Sequence, residues 1–174
     1  VWNLSYVAAP QSTITIGDAV ENQVLSVQAT EDTTGDVIDI KVTLQDNVGT
    51  TVDLTGETDS FTVNGSTGDD TVTSGDGNDT IFGGEGADEI NLNGGNNRVW
   101  AGADDAGIDD INVNGDGDNI VAGGAAADDI DIAGDGANQA WGGADADNID
   151  VNDGADGNNI LGGGAGADTL IVNG

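Results

Sequence analysis

The sequence contains no cysteine and no histidine. Without cysteine the chain can form neither a disulfide framework nor a thiolate zinc site, and without histidine it lacks the commonest general base and transition-metal ligand. Basic residues are almost absent too: Lys41 and Arg98 stand against 33 acidic residues, giving a formal net charge of −31. Such a field repels nucleic acids and anionic membrane surfaces and attracts cations. No apolar run approaches the roughly 18 residues of a membrane span, so we expect no nucleic-acid partner and no membrane span.

Acidic chains with few aromatic residues are often disordered, and aromatic residues make up only 3% of this chain. Two features favour a folded protein instead. The apolar fraction is 36%, and the apolar residues recur at fixed positions. We therefore expect the chain to fold once its carboxylates are neutralised and to be disordered until then.

The sequence pattern changes near Asn64. Residues 1–63 contain several stretches in which apolar and polar residues alternate, the clearest being residues 37–44. A period of two indicates half-buried β-strands, and turn residues such as Gly17-Asp18 separate them. We interpret residues 1–63 as a small β-strand region, either sandwich-like or a cap on the rest, although the strands are few for a closed sandwich.

The first residues form an alternating segment of their own. Trp2, Leu4 and Tyr6 share one face of a strand that precedes the single proline, Pro10. This strand can be an edge strand of the same region, or it can be donated to a neighbouring subunit, since strand addition satisfies an open sheet edge. These three residues are candidate interface residues.

Residues 64–174 form an array of repeats. Two nine-residue units, Ser74–Phe82 and Gly83–Asn91, follow each other directly, and related units continue along the chain. Self-similarity at a short fixed period is typical of a solenoid. The units fall into two alternating classes, the first marked by Asp88, Asp109, Asp128, Asp147 and Asp168, and the second by Asp79, Asn97, Asp118, Asn138 and Asn158. Successive members of one class lie 18 to 21 residues apart.

These units resemble the RTX, or hemolysin-type, calcium-binding repeat, whose nonapeptide reads G-G-x-G-x-D-x-(apolar)-x. The resemblance covers about 100 residues and does not extend to residues 1–63. It implies an all-β protein with a parallel β-roll, in which two nine-residue halves make one turn and several Ca²⁺ ions lie between successive loops. The metal ligands that follow from the resemblance are Asp70, Asp79, Asp88, Asp109, Asp118, Asp128, Asp147, Asp168, Asn97, Asn138, Asn158, Gly75, Gly77, Gly84 and Gly86.

The spacing also has a physical basis that does not depend on the family. Glycine allows turns with positive φ and brings carbonyl oxygens close to an ion, and Ca²⁺ takes six to eight oxygen ligands. The apolar residue two positions after each aspartate points inward from a short strand, and stacking these residues makes a core. That core is thin beside the 23 acidic residues of the array, so we expect folding and cation binding to be one event.

The second class of units carries asparagine at three of its five marked positions. Asparagine can ligate through its carbonyl oxygen, but it brings no charge. Three arrangements are open at this edge: weak metal binding, use of the neighbouring Asp76, Asp116, Asp135 and Asp156 instead, or an asparagine ladder without metal. We expect fewer ions here than at the first edge.

The second class also predicts an apolar stripe on the outside of the solenoid. If Ile81, Val99, Ile120, Ala140 and Ile160 point inward, the residues after them point outward: Phe82, Trp100, Val121, Trp141 and Leu161. Contiguous exposed apolar patches are uncommon on monomers. The stripe is then a packing face for another chain or a platform for a cell-surface glycan, unless the register is off by one and Trp100 and Trp141 are core residues.

Paired aspartates could act as general acid and base, but the pairs repeat along the chain without a unique cleft residue, so we expect no enzyme. We expect an extracellular, calcium-dependent structural protein that self-assembles as a homo-oligomer or polymer, such as a surface-layer, matrix-fibre or filament subunit. The alternative is a calcium-binding accessory or secretion module of a larger secreted toxin, adhesin or enzyme. Because the sequence starts at Val1 and ends on residues that look like a new repeat, we expect a piece of a longer protein.

Overall fold

The computed structural model describes residues 2–7, 12–17, 23–30, 39–45, 49–102, 107–152 and 157–173. The regular elements in these ranges are all β-strands, and no helix long and apolar enough to cross a membrane occurs in them. The strands are β1 (Trp2–Val7), β2 (Ser12–Gly17), β3 (Gln23–Thr30), β4 (Asp39–Gln45), β5 (Thr50–Asp53), β6 (Ser60–Asn64), β7 (Thr71–Thr73), β8 (Thr80–Phe82), β9 (Glu89–Leu92), β10 (Arg98–Gly102), β11 (Asp110–Val113), β12 (Ile120–Gly124), β13 (Asp129–Ile132), β14 (Gln139–Ala144), β15 (Asn148–Val151), β16 (Ile160–Ala165) and β17 (Thr169–Val172).

The strands alternate between two parallel sheets. The odd-numbered strands form sheet A, with nine strands, and the even-numbered strands form sheet B, with eight. Each strand pairs with the strand two positions away in the chain, so that Ile111 of β11 lies opposite Ile90 of β9 and Ile130 of β13. A chain that alternates between two sheets and advances in one direction is a parallel β-solenoid. The predicted all-β parallel β-roll is confirmed.

The strands of the first 63 residues belong to the same two sheets. Strands β1, β3 and β5 extend sheet A, and β2, β4 and β6 extend sheet B, all in parallel. Strand β6 pairs with both β4 and β8, so sheet B passes through Asn64 without a break. These strands therefore do not form the sandwich-like alternative, because a sandwich is built from antiparallel sheets; they extend the solenoid.

Strand β1 is the end strand of sheet A. It pairs with β3, which places Trp2, Leu4 and Tyr6 opposite Leu25, Val27 and Ala29. In this structure β1 is thus an edge strand of its own chain. Its donation to a neighbouring subunit stays a prediction.

Sheet A lines the core as its alternating pattern predicts. Its inward residues from β9 to β15 are fully or almost fully buried: Ile90, Leu92, Ile111, Val113, Ile130, Ile132, Ile149 and Val151. The equivalent residues of β17, Leu170 and Val172, are 44% and 69% exposed. These two residues lie in β17, on which no further turn stacks.

Sheet B departs from the predicted register in two strands. Val121 lies opposite Val99 and is fully buried, whereas Ile120 is partly exposed. Leu161 likewise lies opposite Ala140 and packs against the core, and Ile160 is 57% exposed. Val121 is therefore a core residue and Leu161 is partly buried against the core, and their prediction as outward interface residues is wrong. The cause is that each sits beside a second apolar residue, so that either of the two could have pointed inward.

Candidate functional site

Two sets of loops connect the sheets, one at each edge of the solenoid. The residue just before each sheet A strand from β7 to β17 defines the Asp edge: Asp70, Asp88, Asp109, Asp128, Asp147 and Asp168. The residue just before each sheet B strand from β8 to β16 defines the Asn edge: Asp79, Asn97, Asn119, Asn138 and Asn159. The two edges carry different side chains at equivalent positions.

The aspartates of the Asp edge stack in one column between the turns. The backbone N–H of Asp88 donates to Oδ1 of Asp109 at 2.8 Å, and Asp109 donates in the same way to Asp128 at 3.0 Å. The same bond joins Asp70 to Asp88, Asp128 to Asp147, and Asp147 to Asp168. All but the last of these carboxylates are at most 2% exposed. One oxygen of each stacked carboxylate thus joins two turns.

The second carboxylate oxygen is buried in the middle of this column. The Oδ2 atoms of Asp88, Asp109, Asp128 and Asp147 are all inaccessible to solvent. That of Asp147 accepts no hydrogen bond from any part of the chain that the structure describes. Burial is the main cause that raises the pKa of Asp147; the backbone N–H of Asp128 lowers it, and the charges of Asp168 and Asp145 raise it further. A buried charge in this state is costly unless a cation or a proton neutralises it.

Glycine keeps space open beside these carboxylates. A β-carbon at Gly142 would collide with the side chain of Asp147, including Oδ2, and one at Gly163 would collide in the same way with Asp168. In the loop that ends at Asp88, the predicted ligands Gly84 and Gly86 have φ of 119° and 110°. These positive values are easily reached only by glycine, and they turn the loop so that it lies against the preceding one.

The Asp edge therefore fits Ca²⁺, which prefers carboxylate and carbonyl oxygens. In the described ranges no three acidic side chains gather closely enough to hold a metal ion by themselves, so backbone carbonyl oxygens would have to complete the set of ligands. The residues that would hold Ca²⁺ are the stacked aspartates from Asp70 to Asp168, together with carbonyl oxygens of loop glycines such as Gly84 and Gly86. The bound ion would supply the positive charge that this column of carboxylates lacks.

The Asn edge has the same column built from asparagine. The backbone N–H of Asn97 donates to Oδ1 of Asn119 at 2.9 Å, and Asn119 donates to Asn138 at 3.0 Å. Asp79 joins Asn97, and Asn138 joins Asn159, by the same bond. The column thus contains Asn119 and Asn159, which the sequence prediction missed.

The predicted ligands Asp118 and Asn158 are displaced by one residue from this column, and both are exposed. This error has the same cause as the error in sheet B, because the marked residue lies two positions before the inward one. Once Val121 is known to point inward, Asn119 rather than Asp118 is the marked residue. The buried column of the Asn edge therefore contains one aspartate, Asp79, among its five described members.

Asp79 is a buried carboxylate whose two oxygens both accept hydrogen bonds. Oδ1 accepts from the N–H of Phe61 at 2.8 Å, and Oδ2 accepts from the N–H of Gly75 at 3.2 Å. Burial nevertheless raises the pKa of Asp79 from 3.8 to about 6, against the lowering effect of these two bonds. The predicted ligand Gly75 thus contacts Asp79 directly, and Gly77 of the same loop packs closely on the backbone of Asp59.

The outward faces of the two sheets differ sharply in charge. Sheet A presents Glu89, Asp110, Asp129, Asp131 and Asp150 to solvent. Burial raises the pKa of Asp131, and the neighbouring charges of Asp129, Asp150 and Asp110 add to the shift. Sheet B, in its described strands from β6 to β16, presents no acidic side chain outward.

Aromatic residues lie on this face of sheet B, where Arg98 of β10 is also exposed. Phe82 and Trp100 stack, with ring centroids 5.2 Å apart and planes 11° apart. Phe82, Trp100 and Trp141 are 39%, 42% and 40% exposed, so the two tryptophans are not core residues. Trp141 lies against Gly162, where a β-carbon would come within 2.8 Å of the indole ring. We call these three residues the aromatic row.

Three segments that contain loops of both edges match a known family of repeats. Residues 62–90, 73–105 and 132–156 match the RTX calcium-binding nonapeptide repeat. The chain carries RTX-type calcium-binding repeats. No curated protein and no solved structure is significantly similar to it.

The RTX match accounts for general features of the molecule. RTX repeats bind Ca²⁺ and fold as β-rolls, and proteins that contain them are typically secreted and the repeats typically non-catalytic. The first matched segments include Asp70, Asp79 and Asp88, and the last includes Asn138 and Asp147. The nonapeptide carries one aspartate, so two nonapeptides per turn would place aspartate at both edges of a roll. Here the Asn edge keeps it only at Asp79 among its five described members.

Proposed function

We propose that this chain is a calcium-dependent extracellular structural protein that is not an enzyme. Its β-roll folds when Ca²⁺ binds, and the folded rolls then assemble into a homo-oligomer or polymer, as in a surface layer, a matrix fibre or a filament. The observation that carries this proposal is the buried column of aspartates on the Asp edge. The aromatic row supports the assembly step.

The calcium step follows from the electrostatics of the Asp edge. Carboxylates that repeat at every turn repel one another, and burial prevents water from screening them. Ca²⁺ bound between the turns offsets this repulsion, so that its binding free energy becomes folding free energy. At the low calcium concentration inside a cell the chain stays unfolded, and at the roughly millimolar concentration of extracellular sites it folds.

The assembly step follows from where acidic side chains are absent. A chain with a net charge of −31 repels a second copy wherever carboxylates would meet. From β6 to β16 the outward face of sheet B allows two copies to meet without opposing carboxylates, and the aromatic row gives them apolar surface to bury. A second copy of this chain is therefore the partner that we propose for Phe82, Trp100 and Trp141.

A calcium titration of the purified chain, followed by far-UV circular dichroism and light scattering, tests both steps. We expect the strand signal and large particles to appear over the same range of calcium concentration, and a chelator to reverse the strand signal. The double variant Trp100→Ser and Trp141→Ser should fold at the same calcium concentration but form far fewer particles. Asn112→Ser, on the outward face of sheet A, is the matched control and should assemble normally.

Other outcomes would separate the alternatives. A chain that folds with calcium but remains a monomer would contradict assembly and favour an accessory or secretion module of a larger protein. Assembly that requires an added polysaccharide would identify the aromatic row as a glycan platform. An unchanged strand signal in chelator and in calcium would contradict the calcium step itself.

A further inference from the structure

The asparagine side chains of the Asn edge use both of their polar atoms. Oδ1 of Asn119 accepts the backbone N–H of Asn97, as described above. Its Nδ2 donates to the carbonyl oxygen of Gly117 at 3.0 Å and to Oδ1 of Asn138 at 2.9 Å. Nδ2 of Asn97 donates in the same way to the carbonyl oxygen of Gly94 at 3.1 Å. These loop carbonyls are of the kind that a Ca²⁺ ion would need as ligands.

From Asn97 to Asn159, the Asn edge therefore differs from the Asp edge at one atom of each stacked side chain. On the Asp edge the inner position is Oδ2, an acceptor, and for Asp147 no described residue donates to it. On the Asn edge the same position is an NH₂ group, a donor. An NH₂ group cannot ligate a metal ion, and a neutral amide does not offset the cost of removing Ca²⁺ from water. The Asn edge does not fit Ca²⁺ as the Asp edge does.

A second ladder reinforces the Asn edge from outside. Oδ1 of Asn96 accepts the backbone N–H of Asp118 at 2.8 Å, and Oδ1 of Asp118 accepts that of Ala137 at 2.8 Å. Oδ1 of Asn78 accepts from Asn96 in the same direction, at 2.7 Å. This ladder runs opposite to the buried one, since here the earlier turn supplies the acceptor. At the Asp edge the same bond runs from the backbone N–H of Ala87 to Oδ1 of Asp69 at 2.9 Å. The ladder does not continue beyond it through Ala87, Ala127, Ala146 and Ala167, whose side chains have no acceptor.

Of the exposed aspartates that could replace asparagine as ligands, Asp116 joins this outer network through its carboxylate, and Asp135 and Asp76 take part in bonds between turns through their backbone. Oδ1 of Asp116 accepts the backbone N–H of Asp135 at 3.2 Å, and the backbone N–H of Asp76 donates to the carbonyl oxygen of Glu57 at 2.6 Å. Asp156 lies outside the described residues. Of the three arrangements that the sequence left open for this edge, the contacts favour the ladder without metal.

We propose that the two edges of this β-roll are held by different chemistry. Ca²⁺ joins the turns at the Asp edge, and side-chain amides join them without metal at the Asn edge, from Asn97 to Asn159. The inference rests on the proposed calcium-dependent folding, which concerns the Asp edge alone. It follows that one edge sets the number of ions, and that the amide edge adds stability to the folded roll that does not depend on bound metal.

Matched truncations of the two columns test this proposal in the full chain. Asn119→Ala and Asp128→Ala remove equivalent side chains from neighbouring loops. Bound Ca²⁺ per chain is measured by equilibrium dialysis, and the thermal midpoint is followed against the logarithm of the calcium concentration. We expect Asp128→Ala to bind at least one ion fewer and to show a weaker dependence on calcium. Asn119→Ala should bind the wild-type number and lose the same stability at every calcium concentration.

Two results would overturn the proposal: a lower ion count in Asn119→Ala, or a loss of stability in this variant that changes with the calcium concentration over the range in which the chain folds. If Asn119→Ala does not fold, the triple variant Asp109→Asn, Asp128→Asn and Asp147→Asn gives an independent test. It should lose the ions of those turns, and an undiminished ion count would place the ions on the Asn edge. A wild-type chain that binds no Ca²⁺ would instead contradict the proposed function, so the two failures are distinct.

Discussion

In the loops of the Asp edge, the backbone conformation limits which residue can occupy the position two before the stacked aspartate. This position has positive φ in the four loops that end at Asp88, Asp128, Asp147 and Asp168: Gly86 at 110°, Ala126 at 79°, Asp145 at 67° and Gly166 at 140°. A side chain in this conformation costs on the order of 1–2 kcal/mol relative to glycine. Ala126 and Asp145 are thus strained positions beside the stacked carboxylates, and the uniform geometry of the loops is what holds them there.

Replacing Ala126 by glycine should therefore stabilise the folded roll. We expect Ala126→Gly to raise the free energy of unfolding by up to about 1 kcal/mol, because relief of the strain exceeds the added entropy of the unfolded chain. Ala125→Gly is the control, since Ala125 is not among the positive-φ residues, and it should lower the free energy of unfolding by roughly 0.5–1 kcal/mol. Urea unfolding in saturating calcium measures both. A loss of stability in Ala126→Gly would contradict the assigned backbone conformation.

At the residue scale the sequence predicted the Asp edge better than the Asn edge. Each aspartate from Asp88 to Asp147 is followed two positions later by one clear inward residue, which leaves a single choice of register. At the Asn edge Asp118-Asn119 precedes Ile120-Val121, so two polar residues could be the stacked one and two apolar residues could be the inward one. Only the pairing of Val121 with Val99 decides between them. Hydrogen bonds between turns, such as that from Asn119 to Asn138, cannot be predicted from a local sequence pattern.

The strands of this molecule are short, and each is held by its neighbours in the turns before and after it. Strand β12 pairs with β10 and β14, with Val121 between Val99 and Ala140. Because a side chain period of two is strict, a shift by one residue would expose the whole inward set. The register of β12 is therefore a property of the stacked sheet rather than of the strand alone.

Paired truncations in β12 test this register. Val121→Ala removes buried methyl groups and should lower the free energy of unfolding by about 1–3 kcal/mol. Ile120→Ala removes a larger side chain from a partly exposed position and should cost less than about 1 kcal/mol. Thermal or urea unfolding in saturating calcium compares the two variants directly. A larger loss in Ile120→Ala would restore the register that the sequence pattern first indicated.

At the element scale the alternation in residues 1–63 predicted strands but not their partners. A period of two is the same for parallel and antiparallel strands. The turns here also differ in length: Trp2 pairs with Leu25, and Leu25 with Val52, so these turns span 23 and 27 residues. Unequal turns without the glycine pattern give no repeat that a sequence comparison could detect. The sequence therefore predicted a solenoid only in residues 64–174, where the glycine-rich loops give the turns a regular length.

The charge of the whole molecule is divided between two environments. Many carboxylates lie on the outward face of sheet A, where water and salt reach them, whereas those of the Asp edge are buried. Salt screens exposed charges strongly and buried ones weakly. The two populations therefore predict different responses to ions, and this separates general neutralisation of an acidic chain from specific binding between turns.

Ion substitution in the calcium-free chain tests this separation. In about 1 M NaCl the Debye length falls to about 3 Å, so repulsion across the face of sheet A is removed while the Asp edge stays uncompensated. Mg²⁺ gives up its water reluctantly and demands a small octahedral site, so it should also fail at concentrations at which Ca²⁺ suffices. We expect far-UV circular dichroism to show an unfolded chain with either ion and strand structure only after Ca²⁺ is added. Complete folding in NaCl alone would mean that the exposed charge, and not the buried column of aspartates, keeps the chain unfolded without calcium.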